Sequence, residues 1–238
     1  MTGPVAVVTQ LWRFPVKSMR GETREHLTIT TGGAEGDRWF ALREAGSKKL
    51  ADVRRTPRLL LYQSQLGSPD DDFALVTLPD GTQLRTDDPN LAERLSSDLD
   101  MKVTITKRKA ADELGFIDEA PLHISTRQTL STLSTLNPDA VFDVRRFRAN
   151  ILLDCTGSST PYPEDLWLSR ILAIGRDVRL QVTQACGRCA MTSMEQDELP
   201  TDPSVLKTVK AENTGNLGIY ATVLAEGTIA VGDQVFLE

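Results

Sequence analysis

Cysteine, histidine and aromatic residues are scarce in this chain: three cysteines, two histidines and 5% Phe, Tyr and Trp in 238 residues. An odd cysteine count without a secretory leader argues against a disulfide framework and for reduced thiols. Three cysteines also fall short of the four that an iron–sulfur cluster of the [2Fe–2S] type takes. No apolar run approaches the roughly 18 residues of a membrane-spanning helix. The opening stretch "MTGPVAVVTQLWRF" has neither a basic region nor a long apolar one, so no signal peptide is read there. A cytoplasmic location is expected. No G-x-G-x-x-G run follows a strand, which leaves a nicotinamide or flavin site of that kind unsupported. Basic residues do not exceed acidic ones, 27 against 33 for a net charge of −6, so neither nucleic acid nor an anionic membrane is expected as a partner.

What is present is ordinary globular composition, 40% hydrophobic and 25% charged, in a length that suits one large domain or two small ones. The first hundred residues read as strands: "PVAVVTQLWRFPV", "EHLTITT", "RWFAL", "RLLLYQSQL" and "MKVTITK". "FALVTLPDGTQLRT" reads as a hairpin turning at Pro79-Asp80-Gly81. Asp88-Pro89 followed by Leu91, Leu95 and Leu99 predicts a helix over 89–100. The charged stretch "KRKAADELG" marks a boundary between segments 1–110 and 111–238. Beyond it, Ser125 or Thr126 caps a predicted helix carrying Leu130, Leu133 and Leu136 and ending at Asn137-Pro138. "ANILLDC" reads as a buried strand, "ILAIGRDVRLQVTQ" as two strands about Gly175, and the last residues as a closing pair turning at Glu226-Gly227. Many short strands with few helices predict a mainly β (α+β) fold, barrel-like β domains with accessory helices.

Two features carry chemistry. "CGRC" places Cys186 and Cys189 three apart around Gly187 and Arg188. Four readings stand: half of a zinc site, a redox dithiol, two inert buried thiols, or one thiolate ligand with an incidental neighbour. Zinc needs Cys155, His26 or His123 to converge on the pair, none of them at a paired spacing. A dithiol would want the pair to open a helix, and "MTSMEQDE" shows no helical face. Arg188 counts against full burial of the motif, since an unpaired buried guanidinium is costly. The second feature is basic clustering in an acidic chain. "FDVRRFRANI" holds Arg145, Arg146 and Arg148; as the start of a strand it would send Arg146 and Arg148 one way and Arg145 the other. "FPVKSMRGE" supplies Lys17, Ser18 and Arg20, and "EGDRWFAL" supplies Arg38 beside its natural partner Asp37. Each alone reads equally as a polar turn or strand edge. Together with an Arg-flanked thiolate they suggest one anionic cofactor held through phosphate and metal. The acidic residues Glu195, Asp197, Glu198, Asp202, Glu212, Glu226, Asp233 and Glu238 make a solvated face or a docking face for a basic donor.

"FPVKSMRG", "GDRWFAL", "RFRANILLD", "CGRC" and "GTIAVGDQVFL", in this order, resemble the MOSC-domain proteins that carry an amino-terminal β-barrel domain. That group includes the mitochondrial amidoxime-reducing components and a bacterial relative that detoxifies hydroxylaminopurine. The resemblance covers roughly residues 5 to 238. It implies an amino-terminal MOSC β-barrel domain over 1–110, a MOSC domain over 111–238, and a molybdenum cofactor, a pterin dithiolene with a terminal phosphate. It implies Cys189 as the metal ligand, Cys189 and Arg188 as the catalytic residues, and Arg188 and Gly187 against the cofactor. Lys17, Ser18, Arg38, Arg148 and Asn150 match positions that contact the pterin or its phosphate. "IDEAP" keeps the family's acidic residue as Asp118 but has Glu119 and Ala120 in place of hydroxyl side chains. The implied activity is reduction of small N-hydroxylated compounds, with electrons from a separate donor protein. Two other readings remain: a sulfur carrier working through a Cys189 persulfide, and a module that binds or delivers the cofactor without turnover.

Overall fold

The computed structural model describes residues 3–67, 71–108, 114–155 and 157–238. In chain order its strands are β1 (Ala6–Arg13), β2 (Glu22–Arg24), β3 (His26–Thr30), β4 (Gly33–Ala34), β5 (Phe40–Glu44), β6 (Gln63–Gln65), β7 (Leu75–Thr77) and β8 (Gln83–Arg85). They continue as β9 (Val103–Lys107), β10 (Leu122–Thr126), β11 (Ile151–Asp154), β12 (Ile171–Ile174), β13 (Val178–Gly187), β14 (Asn216–Ala225), β15 (Gly227–Ala230) and β16 (Gln234–Leu237). The α-helices are α1 (Pro89–Asp98), α2 (Arg127–Leu136), α3 (Val144–Phe147) and α4 (Pro203–Glu212).

Seven strands close a barrel in the order β11-β10-β14-β13-β12-β16-β1, with β1 pairing back onto β11. Closure leaves no free edge between these strands. The β10–β11 pair is parallel and the other barrel pairs are antiparallel. Alternation fills the interior: Val178, Leu180 and Val182 of β13 meet Ile219 and Ala221 of β14 and Ile124 of β10, all in one core. A second core sits beneath β5–β9, β6-β7-β8 and α1, around Met19, Phe40, Leu59, Tyr62 and Leu95.

The two sequence segments are interleaved. Strand β1 enters the barrel otherwise built from residues past 120, and β15 pairs with β3. The expected boundary at 110/111 falls outside the described residues. The fold is mainly β with few helices, as expected.

Local chemistry explains most of the elements. The Asp88 carboxylate accepts from the Asn90 N–H at 2.9 Å to cap α1, and Leu91 and Leu95 are buried. Thr126 caps α2 from the Thr129 N–H at 3.2 Å. Of the three leucines predicted to face inward, Leu133 is buried and Leu136 is 51% exposed. The 78–82 turn closes the β7–β8 hairpin, with Gly81 at φ 84° supplying the left-handed residue.

Three expectations are corrected. "RLLLYQSQL" is not one strand: Pro57 opens a 3₁₀ turn (Pro57–Leu61) before β6. The closing pair is three strands with different partners, β14 on β10 and β13, β15 on β3, β16 on β12 and β1. The arginine run before β11 is helical, not extended: α3 is capped by the Asp143 carboxylate at 2.9 Å from the Arg145 N–H, and Arg148 ends it in the left-handed conformation.

Candidate functional site

The one-turn helix α3 sends its arginines three ways. Arg145 stays near the surface and pairs with Asp143, Asp197 and Glu198. Arg146, 1% exposed, turns inward and donates to four backbone carbonyls: Val141 at 3.1 Å, Thr192 at 3.3 Å, Met194 at 3.1 Å and Pro200 at 2.8 Å. Three of those carbonyls belong to the segment just past Cys189, so Arg146 clamps that segment onto α3. Arg148, at φ 56°, turns to the opposite side and reaches a cavity of about 160 Å³.

That cavity is lined by all nine residues that the family resemblance assigns to a site: Lys17, Ser18, Arg38, Asp118, Arg148, Asn150, Gly187, Arg188 and Cys189. They arrive from the β1–β2 connection, the turn before β5, the segment before β10, the α3–β11 junction and the end of β13. Ser18, Arg38 and Arg148 all adopt positive φ (68°, 52° and 56°), three of seven such non-glycine residues among those described. Each such residue costs on the order of 1–3 kcal/mol, and a concentration of them in one cavity marks a place where side-chain direction matters more than backbone comfort.

The cavity's hydrogen bonding is incomplete. Lys17 Nζ donates to Asp118 Oδ1 at 2.6 Å and to the Phe116 carbonyl at 3.1 Å, leaving its third N–H. Ser18 Oγ accepts from the Val53 N–H at 3.2 Å, leaving its hydroxyl hydrogen. Arg38 pairs with Asp37, which itself accepts from the Phe14 N–H at 2.7 Å. Arg148 donates one bond, to the Met19 carbonyl at 2.6 Å, and lies over the Phe14 ring at 4.1 Å. Its Nη2 is buried with no partner, and so is Arg188 Nε. Asn150 is already committed: its side chain accepts from the His123 N–H at 3.2 Å and donates to the Trp12 carbonyl at 3.4 Å, tying β1 to β10.

Lys17, Arg38, Arg54, Arg148 and Arg188 face Asp52, Asp118 and Glu119, an excess of positive charge inside an acidic chain. Burial, with Arg38 next, pulls Arg148 down to about 9, still protonated at neutral pH. The shift is the mark of a cation removed from water, with Asp37 and Asp118 near enough to offset it only in part. Burial likewise lowers Lys17 despite the hydrogen bond and charge of Asp118. Asp118 is lowered too: burial works the other way but the Lys17 hydrogen bond and charge outweigh it. With its side chain 70% exposed, Asp118 is a rim group that a bound anion can displace.

An anion with several acceptor oxygens fits this cavity. It would lie against two guanidinium groups that each keep a buried, unpartnered nitrogen, beside a spare ammonium hydrogen and a spare hydroxyl hydrogen. Gly187 agrees: a Cβ there would have no neighbour nearer than 3.9 Å, so the protein itself does not demand glycine at that position.

The two cysteines of the motif part company. Cys189 is exposed and caps the 3₁₀ turn Ala190–Ser193, its carbonyl taking the Thr192 N–H at 3.2 Å and the Thr192 hydroxyl at 3.0 Å. Cys186 is fully buried, and both thiols are free. Arg188, which lies between the two in sequence, turns to Cys186. Its Nη1 lies 2.7 Å from Cys186 Sγ and its Nη2 donates to the Phe147 carbonyl at 2.8 Å. Among the described residues no three His, Cys, Asp or Glu side chains stand together for a metal, so a metal at Cys189 would have to bring most of its own ligands.

Sequence reasoning missed Asp52, Val53, Arg54, Phe147, Met191 and Tyr220 in the cavity wall, and saw His123 only as a stray zinc candidate. His123 and Tyr220 are cross-strand partners on β10 and β14, a pairing fixed by register and invisible to local motifs. The acidic face is mostly consumed internally: Asp197 pairs with Arg20 and Arg145, Glu198 with Arg145 and Glu238 with Arg179. Asp202 caps α4, Glu226 accepts from the Thr31 N–H and Asp233 from the Ala230 N–H. A wider cleft of about 820 Å³ lies elsewhere, beside α2, but it contains none of the nine residues and only Arg127 as a cation. Size does not outweigh unsatisfied chemistry.

No helix among the described residues is long and apolar enough to cross a membrane. The chain is 26% identical to mitochondrial amidoxime-reducing component 1 of Mus musculus, over 98% of this chain and 82% of that protein. It is 25% identical to mitochondrial amidoxime reducing component 2 of Bos taurus, over 98% of this chain and 83% of that protein. The YuaD protein from Bacillus subtilis shares the fold, with a TM-score of 0.54 at 14% identity over 98% of this chain and 94% of its own. The family model for the MOSC domain matches residues 111–236 and that for the MOSC N-terminal beta barrel domain matches residues 5–119, so the chain belongs to the MOSC-domain family.

Proposed function

We propose that this chain is a molybdenum-cofactor-dependent reductase of small N-hydroxylated compounds, hydroxylamines and amidoximes, working in the cytoplasm with a separate electron-donor protein. The observation that carries the reading is one cavity lined by two arginines that each keep a buried, unpartnered nitrogen and by an exposed cysteine. When bound, the cofactor supplies the two-electron chemistry that removes oxygen from an N–O bond. The net change is R–NHOH + 2 H⁺ + 2 e⁻ → R–NH₂ + H₂O.

The chain's own part is binding and orientation. Arg148, Arg38 and Lys17 neutralise the phosphate, and the Ser18 hydroxyl donates to it. Cys189, fixed by the backbone bonds of its 3₁₀ turn and by the Arg146 clamp beyond it, offers a soft thiolate to a high-valent metal. Glu119, Met191 and Tyr220 shape the approach for a substrate. Glu119 and Ala120 stand where related sequences carry hydroxyls, so the substrate side is the part expected to differ. With Cys189 committed, the two remaining cysteines fall short of the four that a [2Fe–2S] cluster takes, which supports a separate electron donor.

The test is donor-coupled reduction of a panel of hydroxylamines and amidoximes by the chain expressed in a host that makes molybdopterin. Turnover that disappears in Cys189→Ala supports the reading. Metal-loaded protein without turnover would make it a cofactor-binding module. Molybdenum-free protein carrying a sulfane sulfur on Cys189 would make it a sulfur carrier.

A further inference from the structure

Cys186 has no place in that reading, yet its surroundings are the most elaborate of any thiol in the chain. It is 0% exposed at the end of β13. The Arg188 guanidinium is 2.7 Å from its sulfur, and His123 and Tyr220 are both within hydrogen-bonding reach. His123 Nε2 lies 3.1 Å from the Leu217 carbonyl, which can only accept, so that nitrogen carries hydrogen. The packing is tight enough to dictate sequence: at Gly218, φ 80°, a Cβ would stand 2.4 Å from His123 Nε2. Cys155, also buried, has no such company: burial, with Glu164 and Asp154 nearby, pushes it up to about 12.

We propose that Cys186 is a positioning residue, a buried sulfur anchor that fixes the Arg188 guanidinium between β13 and α3. Two of the arginine's nitrogens are then committed, to Cys186 Sγ and to the Phe147 carbonyl, and Nε is left as the donor without a protein partner. The C-x-x-C is therefore an anchor and a ligand, not a pair of equivalent thiols. Burial alone would raise the Cys186 thiol, but the charges of His123 and Arg188, then the hydrogen bonds of His123 and Tyr220, bring it down to about 6. The groups facing the sulfur are those three, and Glu119 in turn faces Tyr220, whose phenol is raised by burial, Cys186 and Glu119. The inference does not depend on what fills the cavity.

The test uses the full chain and two readouts. Thiolate absorbance is followed against pH in the wild type, Cys189→Ser, Cys186→Ser and Arg188→Gln. A step near pH 6 is expected in Cys189→Ser, absent in Cys186→Ser, and moved up by a unit or more in Arg188→Gln. In parallel, the Arg188 side-chain Nε–H resonance, assigned with Arg188→Lys, reports its immobilisation. It should be protected from exchange in the wild type and Cys189→Ser, and lose that protection at least tenfold in Cys186→Ala and Cys186→Ser. A step unmoved by Arg188→Gln, or an Arg188 signal indifferent to Cys186, overturns the proposal. Because neither readout needs cofactor or turnover, a failure here is distinct from a failure of the reductase reading.

Discussion

Arg146 and Arg148 are both buried, sit two residues apart and belong to the same turn, yet their surroundings are opposite. Arg146 spends its donors on four carbonyls and has no unpartnered nitrogen among the described groups. Arg148 has one carbonyl, one aromatic face and one orphaned nitrogen, with Arg38 and Arg188 adding repulsion. A satisfied buried cation is part of the framework. An unsatisfied one, held in a strained backbone, is where the proposed reading places an anion. The contrast separates a satisfied arginine from an unsatisfied one without reference to any relative.

Removing each arginine should break the molecule in a different way. Arg146→Met strands four carbonyls and frees the segment after Cys189; it should cost roughly 3–5 kcal/mol, about 10 °C in Tm for a chain of this size, seen in thermal or urea unfolding. Arg146→Lys keeps the charge but not the planar fork, and should recover about half of that loss. Arg148→Met removes an ill-compensated charge and should leave the cofactor-free protein within about 1 kcal/mol of the wild type. Its effect appears with an anion: inorganic phosphate at 100-fold above its Kd should stabilise the wild type by about 2.7 kcal/mol and leave Arg148→Met unmoved. Equal losses of stability from Arg146→Met and Arg148→Met would erase the distinction.

Asp118→Asn sharpens the comparison from the other side. It removes the carboxylate that competes for Lys17 at the cavity rim, so phosphate binding should tighten by up to about fivefold in calorimetry. The Cys186 prediction has a definite sign. A thiol held down at about 6 contributes stability that is fully present above the ordinary value of 9 and lost as pH falls through 6. Wild type should therefore lose stability relative to Cys186→Ser on acidification across that window, in urea titrations at stepped pH.

Much of this was legible in the sequence, for physical reasons. Side-chain chemistry announces itself: Asp88-Pro89, Thr126 and Gly81 each predict a cap or turn because one residue suffices to make it. Lys17, Arg38, Arg148, Arg188 and Cys189 stand out as cations and a thiol in an acidic, cysteine-poor chain, with Ser18 beside the first; Asp118, Asn150 and Gly187 were named only through the family resemblance. What failed depended on geometry beyond a few residues. A single helical turn such as α3 buries too little for a periodicity, so "RRFRAN" read as extended and the divergence of Arg146 from Arg148 went unseen. The closing strands could be found but not their partners, because pairing is a property of the closed barrel. Which cysteine Arg188 faces was hidden for the same reason: His123 and Tyr220 meet through the β10–β14 register, and the guanidinium turns to Cys186 beside them.

The account rests on Cys189 being the lone protein ligand of a metal whose cofactor is held by Arg148 and its neighbours. Molybdenum per chain, measured after expression in a host that makes molybdopterin, tests this most directly. Wild type and Cys186→Ser should carry close to one molybdenum each, Cys189→Ser close to none. Metal-free wild type, or equal loss from both cysteine variants, would contradict it.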